Sequence, residues 1–129
     1  MRILVLDTET ASLTQGVVDI ALACVDEDFQ VYWKIESLID PECEISPQAM
    51  GVHHITQEMV WDQPTLEEFM RTHRYPLSDV DVVVGHRVSF DIGFLKPYLP
   101  ERFEIIDTLK LSRHLWPDAE NHKLQTLHY

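Results

Sequence analysis

The chain has 129 residues, enough for one domain with its own core and not for two. It is 45% hydrophobic and 25% charged, with seven prolines and four glycines scattered along it, which excludes a disordered or linker-like chain. Ten Lys and Arg against 22 Asp and Glu leave a net charge of −12, which excludes a general electrostatic nucleic-acid clamp; any such contact must be short, local and bridged by cations.

The apolar run Ile3, Leu4, Val5, Leu6, closed by Asp7, predicts a buried strand over 2–7. Four apolar residues fall short of the ~7–15 of a signal segment and the ~20 of a membrane span, so the chain reads as soluble and cytoplasmic, without a membrane partner. Residues 17–25 (VVDIALACV) and 29–35 (FQVYWKI) predict a second and a third strand, joined by a hairpin turn at Asp26, Glu27 and Asp28. Ser46 and Pro47 have the form of a helix cap and first helical position and open a short helix, PQAMGVH.

Pro64 opens a second helix with Leu66, Phe69 and Met70 on one face, stopped at Tyr75-Pro76. Residues 80–85 (VDVVVG) predict a fourth strand running into His86. Ser89 is placed to cap a helix carrying Asp91, Leu95 and Tyr98, and Pro97 limits its length. Residues 103–106 predict a fifth strand. Asp107 caps a helix whose face is Leu109, Ser112, Leu115 and Trp116, ended by Pro117. Leu124, Leu127 and Tyr129 then fit the opening turn of another helix. A three-strand meander followed by alternating helix and strand predicts a single α/β domain over 1–129, built on a mixed sheet.

Asp7 and Glu9 stand where the first strand is expected to run out, and the two-residue period of a strand puts both on one side. Two such close carboxylates repel unless a divalent cation lies between them, and Mg²⁺ suits the pair. A turn cap at Asp7 and a solvated Glu9 also fit. Asp91, in Gly85-His86-Arg87-Val88-Ser89-Phe90-Asp91, falls in a helix's first turn, where an acid also stabilises the helix dipole without any chemistry. If the first and fourth strands are neighbours, Asp7, Glu9 and Asp91 converge on one metal-sized space.

Taken together these segments resemble the DnaQ-like, histidine-type (DEDDh) branch of the DEDD 3′→5′ exonucleases. Asp7-Thr8-Glu9-Thr10 is similar to the family's first motif, and residues 85–91 to its second. Residues 106–109 (IDTL) are similar to the segment that follows, and residues 46–56 (SPQAMGVHHIT) to the stretch beside the terminal nucleotide. The resemblance covers nearly the whole chain, in order. It implies a ribonuclease H-like mixed five-stranded sheet flanked by helices, and metal-dependent hydrolysis of terminal phosphodiester bonds at single-stranded or frayed DNA 3′ ends. It also implies two Mg²⁺ or Mn²⁺ ions, with Asp7, Glu9 and Asp91 as three of four carboxylate ligands. In a two-metal mechanism such ions lie ~3.5–4 Å apart and stabilise the attacking and leaving oxygens. Thr8, Thr10, Val52, His53, Ile55 and Phe90 take the positions of substrate contacts. A polymerase or another replication or repair protein, as in proofreading, is the implied partner.

Two departures stand out. Arg87 replaces the asparagine usual in the second motif. The third motif, a histidine followed five residues later by aspartate on a helix downstream, is absent: Asp118 is the last aspartate, and neither His122 nor His128 precedes one. The general base and fourth ligand are therefore missing from this chain. The expectation is a domain lacking its C-terminal helices, and the alternative is a catalytically incomplete module that binds nucleic-acid ends or acts as a scaffold.

Other residues divide more evenly. Adjacent His53 and His54 on a helix diverge too far to chelate one ion. Val52, His53 and Ile55 line a base pocket or pack the helix, and Phe90 is core or pocket edge, where stacking tolerates any base. His86 is expected to hydrogen-bond backbone near Asp91, while His73, His114, His122 and His128 carry no signal. Trp33, Trp61 and Trp116 read as packing residues. Cys24 and Cys43 lack a zinc-type spacing and read as reduced thiols, the first buried in a strand, the second in a loop.

Overall fold

The computed structural model describes residues 1–73 and 77–123. Five strands, β1 (Ile3–Thr10), β2 (Val17–Val25), β3 (Val31–Leu38), β4 (Val82–Gly85) and β5 (Glu104–Asp107), form one sheet in the order β3-β2-β1-β4-β5. The helices are α1 (Pro47–His53), α2 (Gln57–Val60), α3 (Leu66–His73), α4 (Val88–Leu95) and α5 (Thr108–Leu115). This is the mixed five-stranded α/β architecture expected from the sequence. Residue contacts divide it into two compact units. One comprises residues 1–7, 23–33 and 77–129, the other residues 8–22 and 34–76.

In the first unit β4 is parallel to both neighbours, with Leu4 opposite Val83 on one side and Gly85 opposite Asp107 on the other. The Arg2 N–H donates to Asp81 Oδ2 at 2.8 Å, fixing the start of the β1–β4 register, and the Arg2 guanidinium lies 4.2 Å from the Tyr32 ring centre. The β2–β3 turn opens at Asp26, as predicted, but runs on to Gln30 instead of ending at Asp28. Asp26 Oδ1 accepts the N–H groups of Asp28 and Gln30, a side-chain turn that acidic residues make readily. Phe29, placed in the third strand by its apolar character, is instead the exposed turn residue at φ 62°, and the strand begins two residues later.

The second unit has a small core of Ala11, Val18, Ile45, Ile55 and Val60, with Leu38, Cys43, Ala49 and Met50 against it. Helix α1 has the predicted bounds, and Ser46 Oγ accepts the Ala49 N–H at 3.1 Å. Helix α3 starts at a reciprocal cap: Thr65 Oγ1 accepts the Glu68 N–H, and Glu68 Oε2 accepts the Thr65 N–H. The expected stop at Tyr75-Pro76 and the helical turn over 124–129 lie outside the described residues.

Three expectations are corrected. Strand β1 continues three residues past Asp7, because Thr8 turns inward and extends the buried side formed by Leu4 and Leu6. Ser89 does not cap α4; the helix begins at Val88, and Arg87 takes the cap position in a left-handed conformation. Trp61 and Trp116 are exposed rather than packed, as is Leu115, since α5 buries only Ser112.

Candidate functional site

Period two along β1 sends Leu4, Leu6 and Thr8 to the buried side and Val5, Asp7 and Glu9 to the other, so the two acids share a side of one rigid strand. Asp7 is exposed and Glu9 is partly buried. Asp91 lies in the first turn of α4 with 4% of its surface exposed. A carboxylate kept so far from water must be hydrogen-bonded or face a cation. The donor chemistry of Asp7, Glu9 and Asp91 suits a hard divalent ion. Among the described residues, however, no group of three or more His, Cys, Asp and Glu side chains is arranged to hold one. The metal assignment of the three acids therefore rests on their motif positions.

In the second unit Glu9, Thr10, Leu13, Ala49, Val52 and His53 line a groove of about 260 Å³, together with Ser46 and Gln48. It collects four sequence-predicted site residues, Glu9, Thr10, Val52 and His53. Val52 is 77% exposed, an apolar side chain left at the groove rather than in the core. His53 Nδ1 accepts the Ile55 N–H at 3.0 Å, which leaves Nε2 to carry the proton and donate to the Thr10 carbonyl at 3.0 Å. That second bond ties α1 to the end of β1 and fixes the groove's width at Thr10. His54 leaves the helix at φ 59° as its C-terminal cap.

Three other predicted contacts lie elsewhere. Ile55 is 7% exposed and belongs to the core beside Ala11 and Val18. Thr8 is buried on the inner side of β1. Phe90 packs edge-on against Phe94, one helical turn on, at 5.5 Å between ring centres.

Two histidines have a role that the sequence did not disclose. Thr108 Oγ1 donates to His86 Nδ1 at 3.0 Å, and His86 Nε2–H donates to the carbonyl of His122. Ser112 gives its own proton to the Leu109 carbonyl, so its Oγ accepts from His122 Nδ1 at 2.9 Å. This relay replaces the expected bond from His86 to backbone near Asp91, and it holds residues 121–123 against the ends of β4 and α5. Only the fold brings these partners together; no spacing in the sequence could have shown it.

Asp107 caps α5 as predicted, its Oδ1 accepting from Leu109 N at 2.9 Å and Lys110 N at 3.4 Å, and it also accepts the Arg87 N–H at 3.0 Å. Burial pushes its carboxyl upward, but the backbone donors of Arg87, Leu109, Lys110 and Val88 outweigh it and hold the group below the usual carboxylate range.

A mixed five-stranded sheet with flanking helices, with acids on its first strand and at the head of the helix after its fourth, defines the ribonuclease H-like class of DnaQ-like exonucleases. The RNase_T exonuclease family model matches residues 4–129, and the chain belongs to that family. It is similar to exodeoxyribonuclease 10 of Escherichia coli K12, 41% identical over 113 residues that make up 88% of this chain and 48% of that protein. It is also similar to the PolC-type DNA polymerase III of Bacillus subtilis, 32% identical over 133 residues covering 95% of this chain and 9% of the polymerase. The chain thus spans about half the length of the first of these relatives and a small part of the second. The solved structure of exonuclease X in complex with 5′ overhanging duplex DNA matches with a TM-score of 0.75 and 36% identity, covering 98% of this chain and 70% of that one. E. coli exonuclease I with a dA16 oligonucleotide matches at a TM-score of 0.70 and 19% identity, covering 93% and 31%, a likeness of fold alone.

Proposed function

We propose that residues 1–129 act as one metal-dependent 3′→5′ exonuclease domain that hydrolyses the terminal phosphodiester of single-stranded or frayed DNA. The observation that carries this reading is the groove that joins Glu9 and Thr10 of the first motif to Val52 and His53 of α1. Its volume suits a single nucleotide unit. Val52 offers an apolar surface to a base, and Ser46, Gln48 and Thr10 offer hydrogen-bonding groups to a sugar. DNA as substrate is supported by the likeness to exodeoxyribonuclease 10 and to the DNA-bound exonuclease X, and a polymerase partner by the likeness to PolC.

Asp7, Glu9 and Asp91 would hold Mg²⁺ or Mn²⁺, two ions in the full ligand set. Such ions supply a deprotonated water and stabilise charge on the leaving oxygen. The chain's own residues do the rest. His53 holds α1 at a fixed distance from Thr10, and the groove positions the terminal nucleotide against Glu9. Among the described residues no helix is long and apolar enough to cross a membrane.

Calorimetric titration of the 129-residue chain with Mn²⁺ tests the ligand assignment. Asp7→Ala is expected to abolish binding and keep a cooperative melt, and unchanged binding would overturn the assignment. A 5′-labelled single-stranded oligonucleotide with Mn²⁺ tests the reaction: a ladder shortening from the 3′ end, absent in Asp7→Ala, is the expected result. Retention of the oligonucleotide without shortening would instead mark an end-binding module.

A further inference from the structure

A second recess, entirely within the first unit, is lined by Arg87, Ser89, Asp107, Leu109, Lys110 and Arg113 and measures about 510 Å³. In a chain with ten Lys and Arg and a net charge of −12, three of those cations face one notch. All three are exposed, and no ion pair among the described residues neutralises them. Lys110 and Arg113 stand three residues apart on α5 and so share a helical face. Arg87 joins them in the lining from the head of α4, its left-handed backbone held by the Asp107 carboxylate through the Arg87 N–H. Asp107 is the one acid in the lining, and its Oδ1 is occupied by three backbone donors, so the notch carries a net charge of about two positive units.

The position fits as well. Gly85 and Asp107 are register partners at the carboxyl ends of the parallel strands β4 and β5; β5 runs straight into α5, and β4 reaches α4 through His86 and Arg87. Ligands of α/β sheets gather beyond such carboxyl ends. The exposed Ser89 hydroxyl, in the same lining, adds one more donor beside the cations.

We propose that this notch binds a phosphate group, an internal phosphodiester of the nucleic-acid strand, through Arg87, Lys110 and Arg113. The inference rests on the exonuclease reading for its ligand. It gives an acidic protein one local point of attraction for the polyanion, and guanidinium groups suit phosphate oxygens in pairs.

The test uses fluorescence anisotropy of 5′-fluorescein dT12 in EDTA, where no hydrolysis occurs, with the 129-residue chain. Lys110→Gln/Arg113→Gln should weaken binding about tenfold and lower the salt dependence by roughly 0.7 per lost phosphate contact. The charge-matched pair Lys96→Gln/Arg102→Gln, exposed in the same unit, should change binding less than twofold. Substituting methylphosphonates for the oligonucleotide's phosphodiesters should erase the difference between wild type and the notch variant. Equal losses in both variants, or none in either, would overturn the notch while leaving the exonuclease reading intact. A competitor that gains from a 5′-terminal phosphate only in the wild type would assign the notch to a terminal phosphate instead and overturn the internal one. Failure of the wild type to bind dT12 in EDTA would sink the notch while leaving the metal-bridged exonuclease reading intact.

Discussion

Arg87 sits at φ 60° and ψ 44°, a region where a side chain with a Cβ meets the following carbonyl and where asparagine is tolerated better than most residues. The sequence showed an arginine where the resembling family has asparagine. The structure gives the physical content of that difference, because the chain must reverse between β4 and α4 in that conformation. Arg87→Asn is therefore expected to stabilise the fold by about 0.5–1 kcal/mol, read as a higher urea midpoint at unchanged slope. Asp107 makes a pH prediction. Its folded-state carboxyl lies below the ordinary value, so its stabilisation is complete above the unfolded pKa of ~3.9 and is lost as pH falls through the folded one. Urea denaturation between pH 5 and pH 2 should show wild type losing more stability than Asp107→Asn, which has no carboxyl to protonate. Equal losses would mean the backbone donors do not favour the ionised form.

Among the elements, β2 and α1 were fully legible, because a nine-residue apolar pattern and a Ser-Pro start leave little choice. The end of β1 was not. Its continuation depends on Thr8 being buried, which a polar residue in a sequence does not announce. The start of α4 was missed for a related reason, since it is set by a backbone conformation and by a carboxylate 20 residues away, Asp107. The site divides the same way. Glu9, Thr10, Val52 and His53 were found through motif and stretch, while Ile55 was drawn into the core by the turn that follows His54. Gly85 shows how tightly the β4–α4 junction is built. A Cβ there would lie 2.7 Å from Val88 Cγ2 and 2.8 Å from the Leu6 carbonyl oxygen. Gly85→Ala should cost about 1–3 kcal/mol through this overlap, measurable by thermal melting, and a neutral result would show that the junction yields.

For the whole molecule, the charge imbalance is what packing leaves uncompensated. With 22 acids against ten bases, the compact state carries self-repulsion that salt screens over a Debye length of ~10 Å at 0.1 M. Raising NaCl from 20 to 300 mM should stabilise the fold by about 1 kcal/mol, roughly 3–5 °C in Tm by calorimetry. A melting point that falls with salt would mean that favourable ion pairs outweigh the repulsion.

The sheet order also sets a timetable for the ribosome. One side of β1 can be joined by β2 soon after both emerge, but its other side is reserved for β4, with Ile3 opposite Val82. At ~5–20 residues per second, the first strand waits roughly 4–16 s of translation for that neighbour. Until Gly85 has left the exit tunnel, a nascent chain presents Ile3, Leu4 and Val5 as an open strand edge. A pause in synthesis before that point leaves a sticky intermediate for chaperones to cover.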